Sequence, residues 1–367
     1  MAEKTPFLGF GYMRLPISNG KFDFAEVNEM VDCYMGHGYN YFDTAFKYEG
    51  SEEALKLSLV QRYPRESFKI TTKVNIYGMT SADEMQKQFD TSISRLGVDY
   101  VDYYFIHALM GKALPKTREL GTWEFLNKLK ETGKAKNIGF SFHGTPEELD
   151  VILTDHPEVD MVQLQINYLD WEDPDVRARE CYEVARRHNK PISVMEPTKG
   201  GLLASEDSAV GKYLRQVDPS VSAASWAFRW VASLEGIKYI LSGMGNTYQV
   251  EDNAATFKNF KPLTKEEYAV IDKCIEIIRD VPRVPCTECK YCTAGCPMSL
   301  PIPTIIKFYN ETLTYAAEES SKYVYKRRVP EDVRASKCVG CKNCEEQCPQ
   351  HIKISEIMKL AAEKFDN

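Results

Sequence analysis

The sequence predicts an α/β fold: a (β/α)8 TIM barrel followed by a smaller, mainly helical domain. Three observations carry this prediction. Short apolar segments alternate with amphipathic helix patterns, and eight such strand–helix units precede residue 260, which is the number that closes a barrel. The G-x-G-x-x-G turn typical of an open doubly wound sheet, the alternative arrangement, is missing. Eight of the eleven cysteines lie after position 285, which marks a second domain. The predicted domains are residues 1–280 and 281–367.

The predicted strands are short apolar segments, and the helix patterns lie between them. The strands are Phe7–Met13, Tyr41–Thr44, Phe68–Val74, Val101–His107, Ala135–Phe140, Met161–Ile166, Pro191–Met195 and Ile237–Leu241. Ser51 and Thr145 each precede acidic residues and are expected to cap helices. A further helix, Lys265–Asp280, leads into a proline-punctuated linker, residues 281–285.

Composition and charge argue against several classes of partner. The 367 residues carry a formal net charge of −7, and an acidic chain gains nothing from a phosphate backbone, so nucleic acid is not expected. No stretch approaches the roughly eighteen apolar residues of a membrane span, and the N-terminal sequence lacks the pattern of a secretory signal. We therefore expect a cytoplasmic protein whose cysteines bind metal instead of forming disulfides.

The C-terminal cysteines form two identical runs, C-x2-C-x2-C-x3-C-P, offset by 52 residues. The first run is Cys286, Cys289, Cys292 and Cys296, and the second is Cys338, Cys341, Cys344 and Cys348. This is the pattern of bacterial dicluster ferredoxins, in which the fourth cysteine of each run ligates the other cluster. We therefore predict two [4Fe–4S] clusters, with Cys348 completing the first ligand set and Cys296 the second. The 41 residues between the runs exceed the connection of a compact ferredoxin, which favours a helical dicluster domain.

Zinc and disulfides are the alternatives at these cysteines. Each run of four could hold zinc in a site made of four cysteines, but zinc ribbons usually pair two C-x2-C knuckles across a longer gap. Three cysteines at x2 spacing followed by C-P are far more typical of iron–sulfur sites.

Four residues suggest chemistry in the barrel. Asp43, Lys73 and His107 end predicted strands, and Tyr48 follows Asp43 by five positions. Catalytic residues of such barrels gather at the C-terminal ends of strands. Reduction of a carbonyl needs a hydride and an acid, and a phenol beside an ammonium is a suitable acid. A lone loop tyrosine is usually a packing residue, so the prediction rests on the four together.

From about Gly9 to Asn253 the chain resembles the aldo-keto reductase family, in particular its iron–sulfur subgroup. The resemblance implies that Asp43, Tyr48, Lys73 and His107 form a catalytic tetrad. Tyr48 would be the proton donor, Lys73 paired with Asp43 would lower the pKa of the Tyr48 phenol, and His107 would orient the carbonyl or assist proton transfer. His143 is a candidate substrate contact, whereas His37, near a helix end, is expected to be structural.

The resemblance also implies a nicotinamide cofactor, NADP(H) or NAD(H). The implied contacts are Ser141, Gln163, Met195, Lys199, Gly200, Ser242, Gly243, Gly245, Asn246, Gln249 and Asn253. The chain departs from the family pattern at Phe142, where an Asn is common, and at Met195, where a Tyr often stacks on the ring. A basic residue for a 2′-phosphate is missing, because Asn246 and Gln249 hold the corresponding positions.

Three functions are consistent with these features. The first is an oxidoreductase that interconverts a small-molecule carbonyl and alcohol, with clusters that transfer electrons. The second is an electron-transfer enzyme with a flavin as a further cofactor and a ferredoxin or flavodoxin as redox partner, since clusters move single electrons and nicotinamide moves two as a hydride. The third is a non-catalytic redox sensor on a reductase scaffold.

Overall fold

The computed structural model describes residues 7–18, 20–258 and 260–367. Its strands are β1 (Phe7–Gly11), β2 (Ile17–Ser18), β3 (Lys21–Phe22), β4 (Tyr41–Asp43), β5 (Lys69–Val74), β6 (Val101–Leu109), β7 (Ala135–Phe142), β8 (Met161–Gln165), β9 (Ile192–Met195) and β10 (Ile237–Ser242). Eight of them close into a parallel barrel in the order β1-β10-β9-β8-β7-β6-β5-β4. The predicted barrel is therefore confirmed, and each predicted strand overlaps one barrel strand.

Helices follow most barrel strands and continue through the C-terminal region. They are α1 (Phe24–Gly36), α2 (Ser51–Leu55), α3 (Asp83–Leu96), α4 (Leu114–Glu119), α5 (Thr122–Glu131), α6 (Pro146–Asp155), α7 (Ala178–Arg187), α8 (Ala209–Val217), α9 (Ala223–Ala232), α10 (Thr247–Lys258), α11 (Lys265–Asp280), α12 (Tyr291–Ala294), α13 (Ile302–Tyr315), α14 (Glu318–Arg328), α15 (Asn343–Glu346) and α16 (Ile354–Phe365). None of the described helices is long and apolar enough to cross a membrane.

One end of the barrel interior is filled by large side chains from alternate strands. The buried cluster there consists of Tyr41, Tyr103, Phe105, Met161, Tyr239 and Leu241. The rings of Tyr41 and Tyr239 stack with their centroids 3.7 Å apart. Gly139 on β7 is needed beside this layer, because a Cβ there would overlap the Phe105 ring and the carbonyl oxygen of Met161. The barrel is thus a packed core, and chemistry is restricted to the strand ends.

The two expected helix caps have different outcomes. Thr145 caps α6 in a capping box, since its hydroxyl accepts from the Glu148 N–H and the Glu148 side chain accepts from the Thr145 N–H. The expectation for Ser51 is wrong: Gly50 takes the cap position of α2, with φ 68° and no side-chain cap. The Ser51 hydroxyl is buried and donates instead to the carbonyl of Tyr12. The short β2–β3 hairpin was not predicted.

The chain forms two compact units. The barrel unit runs to Thr198 and resumes over Ser225–Lys265, and the second unit consists of Lys199–Ala224 and Glu266–Asn367. The division into domains 1–280 and 281–367 stays a prediction.

The second unit contains an internal repeat that follows the two cysteine runs. The short helices α12 and α15, and the longer α13 and α16, begin at positions 52 residues apart. Positive φ angles recur at the same offset in three pairs: Glu288 and Gly340, Lys290 and Lys342, Ser299 and His351. A shared apolar core contains Ile305, Ile306, Met358 and Phe365. The predicted helical dicluster-type region therefore contains two segments whose helix starts and positive-φ positions correspond.

Candidate active site and cluster sites

The four predicted catalytic residues meet at the C-terminal ends of neighbouring strands. Asp43 is the last residue of β4, Lys73 is the fifth of the six residues of β5, and His107 lies near the end of β6. Tyr48 is in the loop after β4, with its ring centroid 5.3 Å from the Lys73 ammonium nitrogen. The Tyr48 and His107 rings meet edge to face, with centroids 5.5 Å apart. The structure thus brings all four together.

Within this group, Lys73 and Asp43 form a buried ion pair. Lys73 is 0% exposed and Asp43 is 3% exposed. The Lys73 ammonium donates to Asp43 Oδ1 at 2.6 Å and to the Thr44 carbonyl at 2.8 Å. Burial lowers the pKa of Lys73, and the carboxylate of Asp43 opposes that shift. A buried charge pair is tolerated only where its hydrogen bonds are made, so the pair fixes both side chains in place.

The phenol of Tyr48 is held in its protonated form. Burial is the largest effect and raises its pKa well above the ordinary value, and the carboxylates of Asp43 and Glu196 raise it further, whereas Arg14 lowers it. Burial and the two carboxylates dominate this shift, and the expectation that Lys73 lowers the pKa stays a prediction. At neutral pH the phenol carries its proton and can donate it.

His107 is a neutral imidazole at neutral pH. Burial, followed by the charges of Lys73, His143 and Lys47, lowers its pKa to about 3. Its Nδ1 atom is buried and has no hydrogen-bond partner among the described residues. The turn after it is fixed by Ala108, which has φ 54° and donates its N–H to Ser141 Oγ at 2.8 Å. The ring can therefore orient a ligand atom but cannot supply a proton at pH 7.

Sequence reasoning missed two charged neighbours of the tyrosine. The Arg14 guanidinium, after β1, and the Glu196 carboxylate, after β9, lie 3.8 Å from each other. Arg14 lowers the pKa of Tyr48, and Glu196 raises it. Glu196 has φ 57°, and its carbonyl accepts from Asn167 Nδ2 at 3.1 Å. A polar residue directly after a barrel strand was an available signal, because Glu196 immediately follows β9.

Several predicted nicotinamide contacts bond to other protein groups. Gln163 Nε2 donates to Asp43 Oδ2 at 3.1 Å, so this amide supports the ion pair. Ser141 accepts from Ala108, as described above. Met195 ends β9 and is partly buried. Lys199 and Gly200 belong to the second unit. These contacts stay predictions.

The remaining predicted contacts lie at the start of α10. Asn253 Nδ2 donates to Ser242 Oγ at 3.0 Å. The N–H of Gly245 donates to Gln249 Oε1 at 2.7 Å, and the N–H of Gln249 donates to Asn246 Oδ1 at 2.9 Å.

The N–H of Thr247, which lies between Gly245 and Gln249 in the sequence, donates to Glu26 Oε1 at 2.6 Å. A helix N-terminus attracts anions, and here the carboxylate of Glu26 already occupies part of that position. Sequence reasoning did not find Glu26, because it lies 221 residues away.

The eight cysteines of the two runs surround two separate cavities. One is lined by Cys286, Cys289, Cys292 and Cys348, and the other by Cys296, Cys338, Cys341 and Cys344. Each cavity therefore has three cysteines from one run and the fourth from the other. Apolar side chains complete the walls, including Ile306 and Ile352 in the first and Leu300 and Met358 in the second. Four thiolates in an apolar cradle suit a [4Fe–4S] cluster.

A family model described as "Aldo/keto reductase family" matches residues 7–276. The chain belongs to the aldo/keto reductase family. A second model, "4Fe-4S dicluster domain", matches residues 285–353 of this reductase. The aldo-keto reductase is thus an NAD(P)-dependent oxidoreductase that carries a C-terminal iron–sulfur domain, as the sequence predicted.

Relatives of this reductase agree with the family. An aldo-keto reductase of Mycolicibacterium smegmatis is 33% identical over 38% of this chain and 47% of its own length. The 9,11-endoperoxide prostaglandin H2 reductase of Trypanosoma cruzi is 28% identical over 74% of this chain and 89% of its own. The crystal structure of an aldo-keto reductase from Klebsiella pneumoniae in complex with NADPH has a TM-score of 0.60 and 21% identity, covering 73% of this chain and 90% of that one, and this likeness concerns the fold.

Proposed function

We propose that this reductase interconverts a carbonyl group and an alcohol on a small molecule, with Tyr48 as the acid and base. The observation that carries the proposal is the buried Lys73–Asp43 pair at 2.6 Å, directly beneath the ring of a protonated Tyr48. A buried, fixed cation beside a phenol is an arrangement that stabilises the negative charge left when the proton departs.

Each residue has one role in this proposal. Tyr48 gives its proton to the carbonyl oxygen in reduction and takes it back in oxidation. His107, neutral because its pKa lies near 3, orients that oxygen through a ring nitrogen. Asp43, held by Gln163, keeps the Lys73 ammonium in place. Bound nicotinamide coenzyme supplies the hydride.

NADH serves this enzyme as well as NADPH in our proposal. Two observations support it: Asn246 and Gln249 provide no positive charge at the start of α10, and Glu26 places a carboxylate against the Thr247 N–H. A 2′-phosphate brought to this turn would meet a negative charge.

The test is anaerobic assay of the purified protein, with clusters intact, against a panel of aldehydes, ketones and alcohols. Loss of a positioned general acid costs roughly 10²–10⁴-fold in rate, so Tyr48→Phe is expected to lower kcat by that factor. Tyr77→Phe, a second tyrosine near this face whose hydroxyl donates to the Ala108 carbonyl, is the matched control and keeps most activity. Unchanged turnover in Tyr48→Phe would refute the proposed role.

We further propose that the second unit holds two [4Fe–4S] clusters with crossed ligand sets. Cys286, Cys289, Cys292 and Cys348 would hold one, and Cys338, Cys341, Cys344 and Cys296 the other. Bound clusters supply one-electron transfer. About eight irons and eight inorganic sulfides per chain are expected by elemental analysis, and zinc in their place would refute the proposal.

A cavity beside one predicted cluster favours a second candidate, an electron-transfer enzyme with a flavin. It measures about 600 Å³, within the usual range of roughly 300–1,000 Å³ for ligand pockets. Cys286 forms part of its wall. The other walls include the apolar residues Val284 and Tyr315, which suit a flat ring. The cations Arg283 and Lys307 suit a phosphate, and the carboxylates Glu288 and Glu311 also line the cavity.

In this second candidate a flavin would accept electron pairs and release them singly to the cluster and then to a ferredoxin or flavodoxin. Extraction of the anaerobically purified protein, followed by fluorescence at the flavin band, is the test. A stoichiometric flavin that is lost in an Arg283→Ala/Lys307→Ala variant supports it, and a flavin-free, fully active protein refutes it.

A further inference from the structure

A cysteine, a histidine and a glutamate meet on the outer surface of the barrel unit and are unused by the proposed reaction. Cys33 lies on α1, His37 directly follows that helix, and Glu251 lies on α10. Cys33 Sγ donates to Glu251 Oε1 at 3.3 Å, and His37 Nε2 is hydrogen-bonded to Glu251 Oε2 at 3.1 Å. One ligand atom from each residue lies within 4.8 Å of those of the other two.

These separations match the edges of a tetrahedral metal site. Zinc binds sulfur at about 2.3 Å and nitrogen or oxygen at about 2.0–2.2 Å, in tetrahedral geometry. Donor atoms around one zinc ion are therefore roughly 3.3–3.6 Å apart. The sulfur–oxygen and nitrogen–oxygen separations, 3.3 and 3.1 Å, differ from these values by a few tenths of an ångström, although they run to the two different oxygens of Glu251. The ligand atoms of the three residues lie within 4.8 Å of one another, so the wider separations have to shorten on binding. Small side-chain adjustments would place all three donors on one ion.

The backbone holds the three residues in place before any metal binds. Cys33 and His37 are four residues apart, so they share one face of a helix, and the His37 N–H continues the helix by donating to the Cys33 carbonyl at 3.0 Å. Two further bonds join α10 to α1 and to the segment just after α1. Thr247 donates to Glu26, and the Tyr39 hydroxyl donates to the Ala254 carbonyl at 3.1 Å. The site therefore requires little ordering on binding.

We propose that Cys33, His37 and Glu251 form a zinc site with a fourth position open to water. One thiolate, one imidazole and one carboxylate is a donor set that suits Zn²⁺ and not Mg²⁺ or Ca²⁺, which take oxygen ligands. On binding, the zinc–sulfur bond replaces the Cys33 sulfur–hydrogen bond, and the proton leaves to solvent. The ion then ties α1 to α10 and restrains the helix that begins at Thr247.

Zinc content of the holoprotein tests the site directly. The tag-free protein is purified anaerobically with its iron–sulfur content intact, equilibrated with Zn²⁺, desalted, and analysed for zinc and iron together. We expect one zinc per chain with iron unchanged. Cys33→Ser and His37→Gln should abolish retention, and Glu251→Gln should weaken zinc binding by about tenfold or more. Cys181→Ser removes a barrel-unit cysteine outside the group and should retain the zinc.

Alkylation of the wild-type protein gives a second readout that needs no variant. Cys33 is partly exposed, whereas Cys181 and Cys274 are buried. N-ethylmaleimide should modify Cys33 in the chelator-treated holoprotein, and Zn²⁺ should protect it, as seen by peptide mass spectrometry. Equal modification with and without Zn²⁺ overturns the proposal. Full zinc retention by the Cys33→Ser/His37→Gln double variant, or zinc gained only in exchange for iron, overturns it as well.

Discussion

Replacing Lys73 by methionine tests two separate roles of the ion pair beneath Tyr48, one in the stability of the fold and one in the proposed proton transfer. The substitution keeps the length of the side chain but removes the ammonium. Asp43 is then left buried at 3% exposure, with the Gln163 amide as its remaining described side-chain partner, and the Thr44 carbonyl loses the bond that Lys73 makes at 2.8 Å. Breaking a buried pair by removing one partner costs about 3–5 kcal/mol.

A loss of that size is a large share of the roughly 5–15 kcal/mol that stabilises a typical domain. The double variant Lys73→Met/Asp43→Asn removes the uncompensated charge, so it should recover most of the lost free energy of unfolding. Activity should stay about 10²–10⁴-fold down in both variants, because neither has the Lys73 ammonium beside Tyr48.

Anaerobic urea unfolding followed by tryptophan fluorescence is the assay. All four tryptophans lie in the barrel unit, so the signal reports this unit and not the cysteine-rich one. The reasoning fails if Lys73→Met loses less than about 1 kcal/mol, the scale of an exposed pair, or if the double variant regains turnover.

Three further outcomes follow from the same contacts. Glu26→Gln removes the carboxylate at the start of α10 and should lower KM for NADPH several-fold while leaving KM for NADH nearly unchanged; equal changes would contradict the placement of the phosphate there. Cys296 belongs to the first run, but Cys296→Ser should perturb the cluster held by Cys338, Cys341 and Cys344. The iron–sulfur signals that change in Cys296→Ser should therefore be those that change in Cys341→Ser, and they should differ from those that change in Cys289→Ser. The pKa of His107 is lowered to about 3 in the folded chain. Between pH 3 and about 6.5 this histidine therefore binds more protons in the unfolded chain than in the folded one. Its contribution to stability is complete above pH 6.5 and declines as pH falls toward 3. His107→Gln should flatten that part of the stability profile measured by urea unfolding, and an unchanged slope would argue against a buried neutral imidazole.

Local sequence patterns were sufficient to predict the barrel and the cysteine-rich unit. Strand–helix alternation predicted eight strands because most barrel-strand residues are buried and many are apolar, although Lys69 and Lys136 are exposed and Asp102 is a buried charge. The strand ends predicted where the tetrad residues lie, since Asp43, Lys73 and His107 are each at or near the last residue of their strands. Regular cysteine spacing and a 52-residue offset predicted the repeat that the backbone dihedrals show.

What sequence could not predict depends on closure of the barrel and on burial. The first and last strands pair, so α1 and α10 meet only because the barrel is complete, and the Glu26–Thr247 and Cys33–Glu251 contacts span more than 200 residues. The direction of the Tyr48 pKa shift depends on how much solvent is excluded and on Glu196, neither of which has a local pattern. Ser51 was predicted as a cap because the Gly50 backbone had no visible signal.

Distribution of the cysteines between the two cavities makes the halves of the second unit depend on each other. A chain that ended before Cys338 would leave the first cavity without Cys348 and the second with Cys296 alone. With the ligand sets proposed above, neither half completes a centre by itself, so translation products that end before Cys338 should contain no complete centre.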